Sequence, residues 1–350
     1  MNAGDRMERG KWNAITDVPG VRVGHVTVEE QRGEDCLCTG VTALLPHGDN
    51  VFEQKVRAAS FVLNGFGKTA GLVQVDELGL MESPIMLTNT FSVAAVLEGT
   101  LRHMLDENPA IGDTTSTLNV VVGECNDSYL NSIRLLAVQP AHAIEAIQSA
   151  TEGPVTQGAV GAGKGMICYG AKGGIGSSSR IVSAEDQNFT VGVLTLTNFG
   201  KPEECRINEW LARNGMSTQE QMPTLDEPAA RPDGSVIIIV ATDAPVNERQ
   251  LKRFAKRAAI GLGRTGTNIH NGSGDIIIAF SNANPVTHTS SSMTDQPTAF
   301  LRDDHAIMNT LFEAVIDATE EAVYQSLIHA EDTTGRLGRV VERWPFVSGG

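Results

Sequence analysis

The stretch Pro232-Asp233-Gly234-Ser235-Val236-Ile237-Ile238-Ile239-Val240-Ala241 decides how the rest of the chain is read. Before it lies a Pro-rich, acidic tract from Met222 to Pro232, and after Ser235 come five β-branched residues in a row. An unbroken apolar run of that length predicts a strand buried on both faces. A serine therefore stands where a loop enters a core strand, and a glycine precedes it. In that position the hydroxyl is held still beside a carbonyl whose own residue has no side chain. It can attack its own preceding peptide bond. The α-amine then released on Ser235, with a reference pKa of about 7.7–8.0, can act as a base near neutral pH. A nucleophile served by its own amine is a variant of the triad logic. An ordinary loop-to-strand turn uses the same residue types, so the junction alone leaves both readings open.

Composition narrows the setting. The chain has 350 residues, 41% hydrophobic and 20% charged, enough for one large domain or two ordinary ones. Its net charge of −15 argues against a general nucleic-acid or anionic-membrane binder. Met1 to Asn13 is polar, without the apolar run of a signal peptide, and no stretch approaches the roughly 18–20 apolar residues of a membrane span. A cytoplasmic protein is the expectation. The five cysteines (Cys36, Cys38, Cys125, Cys168, Cys205) are odd in number and lack paired CxxC spacing, which favours reduced structural thiols over zinc ligands.

Outward from the junction, a turn at Pro19-Gly20 leads into an alternating strand that ends near Thr27. Further strands are predicted over Gly40 to Leu45, Pro84 to Thr90, Leu118 to Val122, Phe189 to Leu196 and Asp275 to Phe280. Helices are predicted from Phe91 to about Met104, from Tyr129 to about Leu136 with Asp127 as its cap, over Ala141 to Ser149, and from about Asp304 to Ile328. Phe61 to Gly67 reads as a glycine-punctuated turn, and glycine dominates from Gly153 to Gly176. Beyond the junction strand, Leu251, Phe254, Ala255, Ala258, Ala259 and Leu262 line one face of a helix, while Arg249, Lys252, Arg253, Lys256 and Arg257 fill the other. In so acidic a protein that basic stripe reads as a solvated or subunit-facing surface. Strands and helices in mixed order make an α/β or α+β sandwich.

Familiar motifs fail on single groups. Gly158 to Gly165, GAVGAGKG, nearly matches a phosphate-binding loop, but Gly165 stands where a hydroxyl must reach magnesium. No G-x-S-x-G elbow occurs. There is no HExxH, and the eight histidines are scattered, so neither a metal nor a cofactor is expected. His270, Ser273 and Asp275 lie close in sequence, but neighbouring residues rarely converge on one point as a triad.

Several blocks in order carry more than any one of them. From ITDVPGVRVGH at Ile15 onward these are NGFGK (64–68) with ESPIMLTNT (82–90), GECNDSYLN (123–131), and GAVGAGKG with GGIGSSSR (173–180). LTNFG (196–200), DGSVIIIVATDAP (233–245) and NGSGDIIIAF (271–280) follow. Together they resemble the DmpA/BapA family of self-processing serine aminopeptidases over nearly the whole chain. The resemblance implies that Ser235 is the nucleophile and Gly234-Ser235 the autocleavage bond, dividing the chain into 1–234 and 235–350. It makes Ser273 and Asp275 the pair that orients and helps activate Ser235, with Glu at the latter place in some relatives. Asn198 becomes the oxyanion-hole amide, Tyr129 a phenol that positions the intermediate, and Glu124 the acceptor of the substrate's free amine. Without the resemblance, Asn198 could be a turn residue, Tyr129 a core tyrosine, Glu124 a capping or surface acid, and Ser273 with Asp275 a strand-entry turn.

The implied fold is one four-layer αββα sandwich over residues 1–350, like that of N-terminal-nucleophile hydrolases but with its own connectivity. The implied assembly is a homo-oligomer, a tetramer of processed αβ units. The implied substrates are small N-terminal residues in peptides, amides or esters, with no nucleic acid, membrane or cofactor involved. Rival readings are an acyl transferase or amide hydrolase on the same fold, and an unprocessed relative that binds a small molecule.

Overall fold

The β-branched run after Ser235 forms strand 235–242, every residue of which is buried. The computed structural model describes residues 7–215, 234–290, 292–294 and 298–346. The tract from Met222 to Pro232, and Asp233, lie outside the described residues.

The chain runs through β1 (Arg22–Arg32), β2 (Asp35–Leu45), β3 (Gln54–Gly65), α1 (Leu72–Leu78), β4 (Leu80–Met81), β5 (Ile85–Asn89), α2 (Val93–Glu107), β6 (Val121–Cys125) and α3 (Pro140–Gln148). A short hairpin, β7 (Ile167–Cys168) and β8 (Ala171–Lys172), precedes β9 (Ile175–Ala184), β10 (Gln187–Asn198) and α4 (Ile207–Arg213). Then come β11 (Ser235–Thr242), α5 (Glu248–Arg264), β12 (Gly274–Thr287) and α6 (Ile307–Ile328). One six-stranded sheet has the order β4-β3-β12-β11-β10-β9, and a four-stranded sheet the order β1-β2-β5-β6. β11 pairs with β12, and β5 with β6, in parallel; the other pairs in these two sheets are antiparallel.

Period-2 alternation explains the layers. Val236, Ile238 and Val240 face a core shared with Phe254 and Ala258 of α5 and Leu311 and Val315 of α6. Ile237 and Ile239 point the other way, into a core with Leu44, Ile85 and Val121 of the smaller sheet. The far side of that sheet buries Val41, Ala43 and Met86 against Val96 of α2 and Ala143 of α3. The result is the expected αββα sandwich. Each fully buried Ile or Val of β11 contributes roughly 1.5–3 kcal/mol of burial, an upper estimate, so this strand anchors both cores.

Several local expectations are corrected. No helix spans Tyr129 to Leu136: residues 128–130 form a turn and only Ile133–Leu135 is a short 3-10 helix. Asp127 caps nothing, since it is buried and accepts a 2.9 Å hydrogen bond from Asn131 Nδ2. Residues 61–65, read as part of a turn, belong to β3, because the pairing with β12 carries the chain on to Gly65. β6 begins three residues later than expected, which brings Glu124 into the strand. Upstream of it, the Asn119 side chain donates to the Gly71 carbonyl and its N–H to Glu82 rather than to a strand partner. The basic stripe on α5 stays solvated, and three of its members also pair within the molecule: Lys252 meets Asp76 at 3.1 Å, Arg253 meets Asp303 at 2.8 Å, and Arg249 contacts Asp303. Among the described residues no helix is long and apolar enough to cross a membrane.

Candidate active site

Ser235 is the first residue of β11 and is 5% exposed. On one side it pairs with Asn198, the last residue of β10, and on the other with Gly274, the first residue of β12. Alternation places Ser235 and Asn198 on the side of Ile237 and Leu196, toward the smaller sheet. The Gly274 N–H lies 3.3 Å from Ser235 Oγ and 3.3 Å from the carbonyl oxygen of Gly234. One backbone donor thus touches both the hydroxyl and the carbonyl oxygen on either side of the bond that the sequence singles out. Gly234 owes its identity to close approach: a Cβ there would stand 2.5 Å from Phe199 Cα and 2.6 Å from the Asn198 carbonyl oxygen. At Gly274 a Cβ would come within 2.7 Å of the Phe66 carbonyl oxygen.

Asn198 is held at both ends of its amide. Its Oδ1 accepts from the Ile167 N–H at 3.0 Å, and its Nδ2 donates to the Asn126 carbonyl at 2.9 Å. An amide nitrogen carries two hydrogens, so one remains for an oxyanion.

Ser273 and Asp275 flank Gly274 and are both buried. The Ser273 hydroxyl donates to Asp275 Oδ1 at 2.7 Å, while Asp275 Oδ2 has no partner. Burial pushes the Asp275 carboxyl up to about 6, against the Ser273 hydrogen bond and the nearby His270. His270 does not complete a triad, since its Nε2 contacts Glu204 at 3.0 Å. Asn64, at the end of β3, staples this loop by donating to the carbonyls of His270, Asn271 and Ser273.

Glu124 enters from the smaller sheet and is 3% exposed. It accepts from the Lys68 N–H at 2.8 Å and from the Thr90 hydroxyl. A Cβ on Gly67 would be 3.6 Å from Glu124 Oε1 and 3.8 Å from Gly274 Cα, so the carboxylate and the strand partner of Ser235 border the same glycine. Tyr129 stands apart on the turn after β6, with the Arg339 guanidinium 4.6 Å from its ring centre. Strand register sets Ser235 beside Asn198 and Gly274, Ser273 and Asp275 flank that glycine, and Glu124 borders it across Gly67, whereas the Tyr129 hydroxyl makes no hydrogen bond with any of them.

The sequence profile of peptidase family S58 matches residues 13–341. The chain belongs to peptidase family S58. A beta-peptidyl aminopeptidase, BapA, from Sphingosinicella microcystinivorans is 38% identical over 355 residues, covering 96% of this chain and 86% of that protein. A solved structure from Pyrococcus horikoshii superimposes with a TM-score of 0.87 at 44% identity, over 97% of this chain and 94% of that one. The L-aminopeptidase D-Ala-esterase/amidase of Ochrobactrum anthropi, described as a variant of the Ntn hydrolase fold, gives a TM-score of 0.86 at 34% identity, over 97% and 93% of the two chains. Within this S58 chain, Asn64, Thr90 and the Gly274 N–H were not singled out from the sequence. Asn64 opens the NGFGK block and Thr90 closes ESPIMLTNT, so the blocks marked their neighbourhoods, but only the strand register shows what they touch.

Proposed function

We propose that this protein is a self-processing serine aminopeptidase in which Ser235 first cuts the chain and then attacks the substrate. The placement of the Gly274 N–H between the Gly234 carbonyl oxygen and Ser235 Oγ carries the reading. In processing, Ser235 Oγ adds to the Gly234 carbonyl carbon and the C–N bond breaks. The hydroxyl proton passes to the departing nitrogen, which becomes the α-amine of Ser235. Water then hydrolyses the ester, leaving a Gly234 carboxylate.

In turnover that amine accepts the Ser235 hydroxyl proton as Oγ adds to the substrate carbonyl. The oxyanion takes the second Nδ2 hydrogen of Asn198, an interaction of the kind that is worth about 10²–10³ in rate. Collapse expels the leaving amine with the proton, and water releases the acyl group from Ser235. Ser273, oriented by Asp275, keeps lone pairs for the Ser235 amine. Glu124 retains acceptor capacity for the substrate's ammonium, which restricts cleavage to the first residue of a chain. Tyr129 would help position the intermediate only after a movement of its turn. No observation favours an acyl transferase or an unprocessed binding protein. A cytoplasmic homo-oligomer of processed pairs belongs to the same reading, supported by exposed Val62, Phe66, Val73 and Leu78 on β3, the loop after it and α1.

Intact-mass spectrometry of the wild type beside Ser235→Ala is the test. The wild type should give two chains of 234 and 116 residues and release p-nitroaniline from aminoacyl p-nitroanilides. Ser235→Ala should stay at 350 residues and lose at least about 10³ in kcat/KM. A full-length wild type, or a variant that still turns over, overturns the assignment.

A further inference from the structure

A cavity of about 540 Å³ opens on the smaller-sheet side of the site, within the range of about 300–1,000 Å³ that ligand pockets occupy. Its walls include Phe91, Ile133, Asp35, Arg134, Arg336 and Asn126. It adjoins the chemistry at two points. Thr90, also in its wall, donates to Glu124, and the Asn126 carbonyl holds the Asn198 amide at 2.9 Å.

The charge lining this cavity is unlike that of the molecule, which carries −15 overall. Two guanidinium groups face one carboxylate, and Asp35 is already engaged by the Ser132 hydroxyl at 2.7 Å. Among the described residues, neither Arg134 nor Arg336 has a carboxylate within 4.0 Å, and Arg336 Nε is buried without a partner. The scaffold around them is fixed: the Arg336 N–H donates to the Leu130 carbonyl at 2.8 Å, and the Ser132 N–H to the Cys36 carbonyl at 2.8 Å. Guanidinium forks match carboxylates in shape and charge. Phe91 and Ile133 supply apolar wall for an aliphatic stem.

We propose that this cavity is the subsite for the leaving portion of a short peptide, and that Arg134 and Arg336 hold that peptide's C-terminal carboxylate. The proposal rests on the aminopeptidase reading and sharpens it. Glu124 takes the ammonium at one end of the substrate and the two arginines the carboxylate at the other, with the scissile bond between them at Ser235. Such a site measures length, and it favours dipeptides over longer chains and over blocked C-termini.

The experiment uses the full-length wild type, Arg134→Gln, Arg336→Gln and the double variant. The probes are Ala-Ala, its C-terminal amide, and alanyl p-nitroanilide, which carries no carboxylate and reports whether a preparation is folded and processed. Wild-type kcat/KM should favour the free acid over the amide by about ten- to a hundredfold. In the double variant that ratio should fall to within about twofold of unity. Equal rates on acid and amide in the wild type, or a preference that survives in the double variant, overturn the subsite and leave the role of Ser235 standing. Calorimetry with a reduced-bond Ala-Ala isostere and its amide separates the two claims without turnover. Tighter binding of the acid, lost in the double variant, upholds the subsite even where no substrate is cleaved, and equal binding refutes it.

Discussion

Two buried carboxylates, Glu321 on α6 and Asp275 on β12, have been given opposite surroundings. Glu321 is 0% exposed and accepts from Arg180 at 2.7 Å, Arg9 at 2.8 Å and Asn13 at 2.8 Å. Burial works against its charge, yet Arg180 and Arg9 outweigh that cost and hold its carboxyl below the ordinary value. Asp275 is 1% exposed and has one serine for a partner, and burial lifts it to about 6. The acid that ties α6 to the sheet is saturated, whereas the acid beside the proposed nucleophile, Ser235, is left short of donors. A carboxylate kept short of partners in this way titrates near neutral pH, where it can respond to a reaction.

The contrast is open to attack by mutation. Asp275→Asn should lower kcat/KM by about 10²–10⁴. Protonation of Asp275 should remove a further part of wild-type activity below about pH 6, beneath the loss that comes from protonating the Ser235 amine, and that lower step should be missing from the residual activity of the variant. Stability should move the other way. A carboxyl whose pKa is raised by folding contributes most below its unfolded value and loses that contribution as pH rises through the folded value of about 6. The variant should therefore melt about 2–4 °C above wild type at pH 8, with no difference near pH 4. A lower melting point at pH 8 together with an unchanged acid limb would break the contrast.

Glu321→Gln should give the opposite pattern. Leaving Arg180 and Arg9 without their charge should cost about 3 kcal/mol in urea unfolding at pH 7, with kcat/KM unchanged. Because folding depresses this carboxyl, the loss should shrink as pH falls below its ordinary 4.5. A stable but inactive variant would place Glu321 in the chemistry instead. The smallest effect on kcat/KM is expected at Asp127, whose Oδ2 has no partner and which burial pushes up to about 7. Asp127→Asn should raise the calorimetric melting point by a few degrees at pH 8, keep part of that gain at pH 5, and show no difference near pH 4.

What was legible in the sequence was local. The run from Val236 to Val240 needs no partner to be recognised as a core strand, and the apolar stripe of α5 announces its buried face by spacing alone. β3 was missed as a strand because Lys55 and Arg57 break its apolar alternation. Lys55 is buried against Glu82 from β3's neighbourhood, while Arg57 meets Glu248 at 3.4 Å from far along the chain. The helix expected at Tyr129 failed for a similar reason. Asp127, a good cap in isolation, is drawn inward by Asn131. In the candidate site, the residues proposed for the chemistry were named from their blocks, but the staple from Asn64 joins residues more than 200 positions apart. Such contacts exist only once the strands are in register.

The strand order of the larger sheet has a consequence for the life history of the molecule. β12 and β11, from beyond Gly234, lie between β3 and β10, from before it. A cut after Gly234 would leave two polypeptides woven through one another, each completing the other's ladder, so the pieces would have no separate existence as folded bodies. The Gly234 carbonyl meets the Gly274 N–H only after β11 has seated beside β12. Under the proposed self-processing, maturation would work as a proofreading gate: each cleaved molecule would certify that its sheet was assembled first, and a misassembled chain would stay whole and inert.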